Sequence, residues 1–258
     1  MCLILLGIDP SPGISVILAA NRDEFYSRPT APMAFWDQPC QMLAGRDLHA
    51  FGTWMGISAT GRFAALTNYR DMTTIKPNAP SRGNIIPDLL ASALTIPDFL
   101  TILDKTAAAF NGFNLIAGQG SKIFWYSNMD RRIHGLLPGI HGLSNHLLDT
   151  PWPKITRGKK ALAQCIQKDP WNDDCFFDLL LDRQQPCDKL LPDTGIGLEW
   201  ERILSPLFIQ SPTYGTRSAT LMRVTTKGNI LVKERTFSTT QTPACSPEFE
   251  ERRFTIAV

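Results

Sequence analysis

The chain begins Met1-Cys2, so Cys2 could become the first residue if the initiator methionine is removed. A cysteine at this position carries a thiol with a reference pKa of about 8.5 and an α-amine that titrates at about 7.7–8.0. A nucleophile with an adjacent base is what covalent catalysis requires, and an N-terminal amine is one known base. The alternative interpretation is a buried cysteine that simply starts a strand.

A polar run, Asn21-Arg22-Asp23-Glu24, directly follows the second of two apolar segments that are predicted to form a hairpin. The second strand of a hairpin finishes where the first one starts, so this run is expected near Cys2. The arginine would favour the thiolate, and the aspartate could hold the ammonium or orient the amine. The run could equally be no more than a turn.

Two asparagines and one arginine complete the set of candidate catalytic residues. Asn68 and Asn145 each end a predicted strand, and their amide groups could donate hydrogen bonds to a developing oxyanion. The alternative is that both only cap strands. Arg217 starts a predicted strand after Gly215, which permits close approach of the backbone. A lone arginine is otherwise usually a surface charge.

Further residues are candidates for ligand binding: Asn21, Arg22, Arg46, Trp54, Tyr69 and Arg82. Arg46 and Trp54 lie in a patch that bears glycines and an aromatic residue, and Arg82 precedes a predicted helix whose backbone donors could receive an anion. The four histidines share no metal-ligand spacing, so we expect no metal site and interpret them as structural or solvent-facing.

Apolar patterning predicts strands in hairpins, with two helical blocks between them. The strand candidates are residues 2–8, 14–20, 53–58, 62–68, 113–117, 122–126, 133–138, 140–145, 216–225, 230–237 and 252–258. The helix candidates are residues 85–94, 98–110, 151–167 and 171–181, and residues 184–197 are interpreted as a long loop or a peripheral insertion. This order predicts an α+β fold in which antiparallel sheets carry helices on their outer sides, within one domain spanning 1–258.

Composition excludes several classes of function. The formal net charge of +2 and the scattered basic residues argue against a nucleic-acid partner. The N-terminal apolar run is too short for a membrane span and lacks the charged start of a signal peptide. The six cysteines have no paired CxxC spacing, which favours reduced thiols and a cytoplasmic protein. A disulfide between two of the later cysteines is the alternative.

Taken together, these motifs resemble those of the NRDE family, the family of the transport and Golgi organization 2 protein. The resemblance rests on blocks that run in order across nearly the whole chain: residues 19–29, 44–47, 52–58, 65–69, 81–83, 110–115, 142–145, 150–152 and 214–217. That family is similar to the N-terminal nucleophile (Ntn) hydrolases, so the resemblance implies a four-layer αββα sandwich of two antiparallel sheets.

The cysteine branch of those hydrolases, which includes bile salt hydrolases and penicillin V acylases, implies roles for individual residues. By position, Cys2 resembles the nucleophile, Asp23 the aspartate, Asn68 and Asn145 the two asparagines, and Arg217 the late arginine. The hydrolases place their first arginine and aspartate three residues apart, whereas Arg22 and Asp23 are adjacent. Adjacent strand residues face opposite sides, so Arg22 is not matched to the hydrolase arginine.

Two functions follow as expectations. The first is an enzyme in which Cys2 attacks the carbonyl of a non-peptide amide in a small molecule, with no external cofactor. The second is a non-catalytic ligand-handling or trafficking protein that retains the pocket for haem or for an acyl thioester. A haem carrier would need an iron ligand such as His or Cys. For a thioester, Arg22, Arg46, Arg82 or Arg217 would meet phosphate.

Overall fold

The computed structural model describes residues 2–37, 41–238 and 247–258. Of Cys2 it describes the backbone only, and Cys40 and Cys245 lie outside the described ranges. Within those ranges the chain forms two antiparallel sheets that lie face to face, with helices on their outer sides.

The first sheet has six strands. They are β1 (Cys2–Ser11), β2 (Ile14–Phe25), β10 (Gly139–Leu143), β11 (Tyr214–Thr225), β12 (Ile230–Phe237) and β13 (Phe249–Ile256), in the spatial order β10-β1-β2-β11-β12-β13. β2 and β11 pair along their whole lengths, from Ile14 opposite Thr225 to Phe25 opposite Tyr214. Asn21 and Arg22 are paired with strands on both sides, whereas Asp23 to Phe25 pair with β11 alone.

The second sheet has seven strands. They are β3 (Thr30–Trp36), β4 (Met42–Asp47), β5 (Met55–Ser58), β6 (Arg62–Asn68), β7 (Phe113–Gln119), β8 (Lys122–Ser127) and β9 (Ile133–Gly135), in chain order across the sheet. Short turns join several neighbouring strands, such as β7 and β8 at Gly120, whose φ of 57° lies in the left-handed region. The long connection between β6 and β7 carries two helices.

Five helices complete the described fold: α1 (Ile85–Ala91), α2 (Ile96–Thr106), α3 (Pro153–Lys168), α4 (Asp173–Leu180) and α5 (Leu198–Ile203). α1 and α2 pack on the second sheet, and α3 and α4 pack on the first. The layers therefore run helix, sheet, sheet, helix, and the predicted αββα sandwich is confirmed.

Three apolar cores fill the spaces between the layers because side chains alternate along each strand. In β1, Ile4, Leu6 and Ile8 point into the core between the sheets, while Leu3 and Leu5 point into the core beneath α3 and α4. A third core lies between the second sheet and α1 and α2. The same alternation decides which polar residues near the ends of these strands face the opposing sheet.

Two expectations about strands are wrong. The run from Asn21 to Glu24 does not follow a strand, because β2 continues to Phe25 in register with β11. Strands β3 and β4 were not expected. β3 contains Pro32, which normally argues against a strand, but β3 is an edge strand and its register shifts between Ala31 and Ala34.

The expectation of reduced thiols is also wrong for one pair. Cys165 in α3 and Cys175 in α4 form a disulfide with a Cα–Cα distance of 5.7 Å. The two helices pack against each other on the first sheet, and that packing brings the two cysteines together. Cys187 is free and exposed.

Helix α5 was not predicted, because the last helix expected from the sequence covers residues 171–181 and α5 follows the polar segment 184–197. None of the helices within the described ranges combines the length and the apolar character needed to cross a bilayer.

Candidate active site

The end of β2 presents its polar residues to two different layers. Asn21 Nδ2 donates to the carbonyl oxygens of Leu180 and Leu207, at 2.8 and 2.9 Å, so this side chain anchors the strand to the helix side. Arg22 points the other way, and its guanidinium carbon lies 4.1 Å from the centre of the Trp54 ring. Arg22 and Asp23 therefore face opposite sides of the sheet, as alternation along a strand requires.

The backbone position of Cys2 places this residue at the site. In the β1–β2 ladder its Cα lies opposite that of Arg22, and in the β2–β11 ladder Arg22 lies opposite Ser218. The start of β1 is therefore next to the polar end of β2. The thiol itself lies outside the described part of the chain.

Asp23 is a buried carboxyl group on the helix side of the first sheet. It is 2% exposed, and its Oδ1 accepts a 2.7 Å hydrogen bond from Thr216 Oγ1. Burial raises its pKa from 3.8 to about 6, although the charge of Lys154 and the Thr216 bond act in the opposite direction. A carboxyl group with this pKa still ionises near neutral pH, and a perturbed pKa of this kind is typical of functional sites.

Arg22 is a buried cation with incomplete hydrogen bonding. It is 5% exposed, its Nη2 lies 3.6 Å from Asp47 Oδ2, and its Nη1 has no hydrogen-bond partner within residues 2–37, 41–238 and 247–258. The Trp54 ring that covers it depends on Gly45, because a Cβ at Gly45 would come within 2.3 Å of that ring. Arg22 thus offers a free donor in the space between the sheets.

Arg217 lies at an irregularity in β11. The β2–β11 register shifts between Thr216 and Ser218, which leaves Arg217 as the extra residue. Its Nη1 donates to the carbonyl oxygens of Phe25 and Arg28, at 3.1 and 3.0 Å. The bulge brings Arg217 to the wall of a cavity that Trp54 also lines.

The two asparagines are joined directly. Asn145 is 1% exposed, and its Nδ2 donates to the backbone oxygen of Asn68 at 3.0 Å. The backbone oxygen of Asn145 in turn accepts from the amide of Arg70 at 2.8 Å. The neighbouring Tyr69 shares a 2.9 Å hydrogen bond with His146 Nε2. One N–H of the Asn145 amide is therefore committed to Asn68, and the other remains to donate.

Arg46 and Arg82 contact residues other than those around Arg22. The guanidinium of Arg46 stacks 4.6 Å from the Trp36 ring, on the outer side of the second sheet. Arg82 Nη1 donates to the backbone oxygen of Gly112 at 2.9 Å. Of the four arginines considered for a phosphate, the structure brings together Arg22 and Arg217, which border neighbouring cavities on either side of Trp54.

Sequence reasoning missed several buried polar residues. Glu234 is fully buried, with Oε2 accepting from the amide of Met33 at 2.6 Å and Oε1 lacking a partner among the residues that the structure describes. Its place in the alternation of β12, after the buried Ile230 and Val232, was the available signal. Burial raises the pKa of Glu234. Ser218 is also buried, and its Oγ has no partner in the same described ranges.

A second missed cluster lies beside α5. Arg70 is 7% exposed, and its Nη2 lies 3.0 Å from Glu201 Oε2, while its guanidinium covers the Trp152 ring at 4.9 Å. The buried Lys154 Nζ donates to the backbone oxygen of Leu204 at 2.9 Å. Burial lowers the pKa of Arg70, and Glu201 opposes that effect.

The histidines mostly engage nearby polar side chains. His134 Nε2 lies 2.6 Å from Asp130, His141 Nδ1 lies 2.9 Å from Asp149, and His146 Nδ1 lies 2.9 Å from Thr150 Oγ1. Within residues 2–37, 41–238 and 247–258, no group of three or more His, Cys, Asp and Glu side chains is arranged to hold a metal ion.

The fold matches that of a solved hydrolase. The C2A mutant of conjugated bile acid hydrolase from Clostridium perfringens superposes with a TM-score of 0.51 at 9% identity, covering 100% of this chain and 98% of that one. At that identity the likeness concerns the fold alone.

Sequence comparison places the chain in a family. The mouse and human Transport and Golgi organization 2 homologues are each 34% identical to it over 91% of this chain and 92% of their own length. The Drosophila melanogaster protein is 26% identical over 92% of this chain and 93% of its own. The family model described as Transport and Golgi organisation 2 matches residues 1–239. The chain therefore belongs to the Transport and Golgi organisation 2 family, and the predicted resemblance is confirmed.

Proposed function

We propose that the chain is an N-terminal cysteine hydrolase that cleaves a non-peptide amide of a small molecule through an acyl-enzyme at Cys2. The observation that carries this proposal is the register of the first sheet. It sets the backbone of Cys2 opposite Arg22 and next to Asp23, a buried carboxyl group whose pKa is raised to about 6. The conjugated bile acid hydrolase of similar fold, solved as a mutant of its own residue 2, supports the same assignment.

In the first step Cys2 Sγ bonds to the carbonyl carbon, and the thiol proton passes to the α-amine of the same residue. The carbonyl oxygen becomes an oxyanion, and the remaining N–H of Asn145 together with the Asn68 side-chain amide would donate to it. Ionised Asp23 would hold the α-ammonium in place. This role needs a carboxylate, which a pKa of about 6 supplies at neutral pH.

In the second step the C–N bond breaks, and the α-ammonium returns its proton to the departing amine. A water molecule then attacks the thioester carbon, the C–S bond breaks, and the acid and the free thiol are released. Arg22, opposite Cys2 in register, and Arg217, one strand further across the sheet, would favour the thiolate electrostatically.

A non-catalytic ligand carrier is the second candidate, because one observation favours it. Arg22 is a buried cation, stacked on Trp54, with a donor that no group among the described residues satisfies. Such a group would bind an acyl thioester or another acceptor-bearing ligand without any chemistry. A haem ligand has no comparable support among the histidines, three of which already contact polar side chains.

The test compares Cys2→Ala with Cys187→Ala, a matched removal of an exposed free thiol. Intact mass first establishes whether Met1 is lost, and a chromogenic small-molecule amide then reports release of the amine. We expect the wild type and Cys187→Ala to lose Met1, form an acyl adduct on Cys2 and turn over, while Cys2→Ala folds but forms no adduct and shows no turnover. Retained Met1 contradicts the mechanism, and ligand binding that survives Cys2→Ala without turnover favours the carrier.

A further inference from the structure

Three buried polar atoms that find no partner in the described part of the chain lie on the same face of the first sheet. They are Arg22 Nη1, Ser218 Oγ and Glu234 Oε1, on side chains that are at most 5% exposed. Leaving a buried polar atom unpaired is costly, so such atoms are usually satisfied by water or by a ligand. Three of them on neighbouring strands form a site that needs an occupant.

The strand register places Ser218 between the other two. Its Cα lies opposite Arg22 in the β2–β11 ladder and one diagonal step from Glu234, which lies opposite Thr220 in the β11–β12 ladder. Opposite Cβ atoms are about 5 Å apart and diagonal ones about 7–8 Å, distances that long side chains span. One small group beside Ser218 could therefore reach all three atoms.

Trp54 and two small cavities define the surroundings. A cavity of about 20 Å³ is bordered by Ser218, Glu234, Arg217 and Trp54, and one of about 10 Å³ is bordered by Arg22 and Trp54. Each has room for about one water-sized group. Trp54 borders both cavities and is only partly buried, so a ligand chain would enter beside its ring.

The chemistry of the three atoms selects the group. Arg22 and Ser218 offer donors, and Glu234 offers an acceptor, which together complement a hydroxyl with its two lone pairs and one O–H. A ligand carboxylate would lie beside the carboxyl group of Glu234 and be repelled when both are ionised. The site therefore favours a neutral alcohol over an anion.

We infer that Arg22, Ser218 and Glu234 form a subsite for a hydroxyl group of the ligand. The subsite rests on the proposed function and deepens it. It identifies the substrate class as a hydroxyl-bearing amide. Ser218 lies two strands from Cys2, which sets the hydroxyl about 10 Å from the reacting carbonyl.

The test is an equilibrium measurement on the full chain. The ligands are a series of ω-hydroxyalkanamides in which the hydroxyl lies about 10 Å from the amide carbonyl. Each is titrated calorimetrically and compared with the alkanamide of the same length that lacks the hydroxyl. We expect the hydroxyl compound of matching length to bind about tenfold more tightly or better, as hydrogen bonds to charged groups imply. In Ser218→Ala and in Glu234→Gln the ratio of the two affinities should fall to about 1, so that the preference for the hydroxyl is lost.

Glu250→Gln, at a side chain that is 81% exposed on the adjacent strand, is the control and should keep the preference. Equal affinities throughout the series, or no binding by any member, would mean that the cavity holds bridging water only and would overturn the inference. So would a preference that survives both variants. Binding with the expected preference but no turnover would instead keep the subsite and overturn the proposed hydrolase.

Discussion

The layer between the two sheets is apolar at one end and polar at the other, although the same strands of the first sheet build both ends. From the apolar to the polar end, these strands present Ile8, Leu6 and Ile4 in β1, Val16, Leu18 and Arg22 in β2, Val224, Met222 and Ser218 in β11, and Ile230, Val232 and Glu234 in β12. Side-chain alternation is unchanged along these runs, and the bulge at Arg217 lies beyond Ser218. Only the residue types change, so the polar end is a site built into a continuous sheet.

The two ends of this layer also contribute differently to stability and to function. The apolar end fills its space with side chains that need no partners, so it should supply stability. The polar end leaves donors and an acceptor unpaired, which reduces stability and is expected where a protein binds or reacts. The variants below test that division, in order of expected effect.

Leu18→Ala, at the apolar end, should be the most destabilising. Leu18 is fully buried in the core between the sheets, and truncation leaves a cavity there. We expect a loss of about 2–5 kcal/mol in the free energy of unfolding, measured by urea denaturation. Leu137→Ala, at a leucine that is 76% exposed, is the control. A loss below about 1 kcal/mol would contradict the division between the ends.

Asp23→Asn should stabilise the fold while removing amide turnover. The raised pKa means that the folded state holds its proton more tightly than the unfolded state, so stability falls as pH rises from about 3.8 to about 6. The asparagine variant escapes that loss. We expect no difference below that window and a gain of up to about 3 kcal/mol above it.

The measurement is urea denaturation across the pH range, with Asp178→Asn, at an exposed helix residue, as control. Turnover in the wild type should rise through about pH 6 as Asp23 ionises. A variant that is less stable above that pH, or fully active, would show that Asp23 is only a structural carboxylate.

Gly45→Ala should displace Trp54 from Arg22. The added Cβ would come within 2.3 Å of the ring, so the ring or strand β4 must shift. We expect a loss of about 1–3 kcal/mol with a change in tryptophan fluorescence. Gly135→Ala, whose Cβ would meet its nearest neighbour at 3.9 Å, is the control. Unchanged fluorescence and stability would argue that Trp54 is loosely held.

Ser218→Ala should have the smallest effect on stability. Its Oγ makes no hydrogen bond to any described residue, so the substitution removes an unsatisfied buried polar atom. The free energy of unfolding should stay within about 0.5 kcal/mol of the wild type or rise slightly. Thr67→Val is the contrast, because Thr67 Oγ1 donates to the backbone oxygen of Ser144 at 2.6 Å. A large loss in Ser218→Ala would point to a structural hydroxyl.

The sequence by itself determined the features that depend on local pattern. Alternation and turn residues gave the hairpins and the helices, and the order of motifs from Asn21 to Arg217 predicted the family and the sandwich. These are recoverable because alternation, caps and turns act over a few residues. The positions of the proposed catalytic residues were likewise named from sequence, and their roles await the tests above.

Only the tertiary structure decided which distant residues meet. It extended β2 through its polar end, because β11 pairs with every residue from Asn21 to Phe25 and bulges out its own Arg217. It joined Cys165 to Cys175 by packing α3 on α4, and brought Glu234 and Ser218 beside Arg22. Such contacts depend on strand order and register across long stretches of chain, which no local pattern specifies.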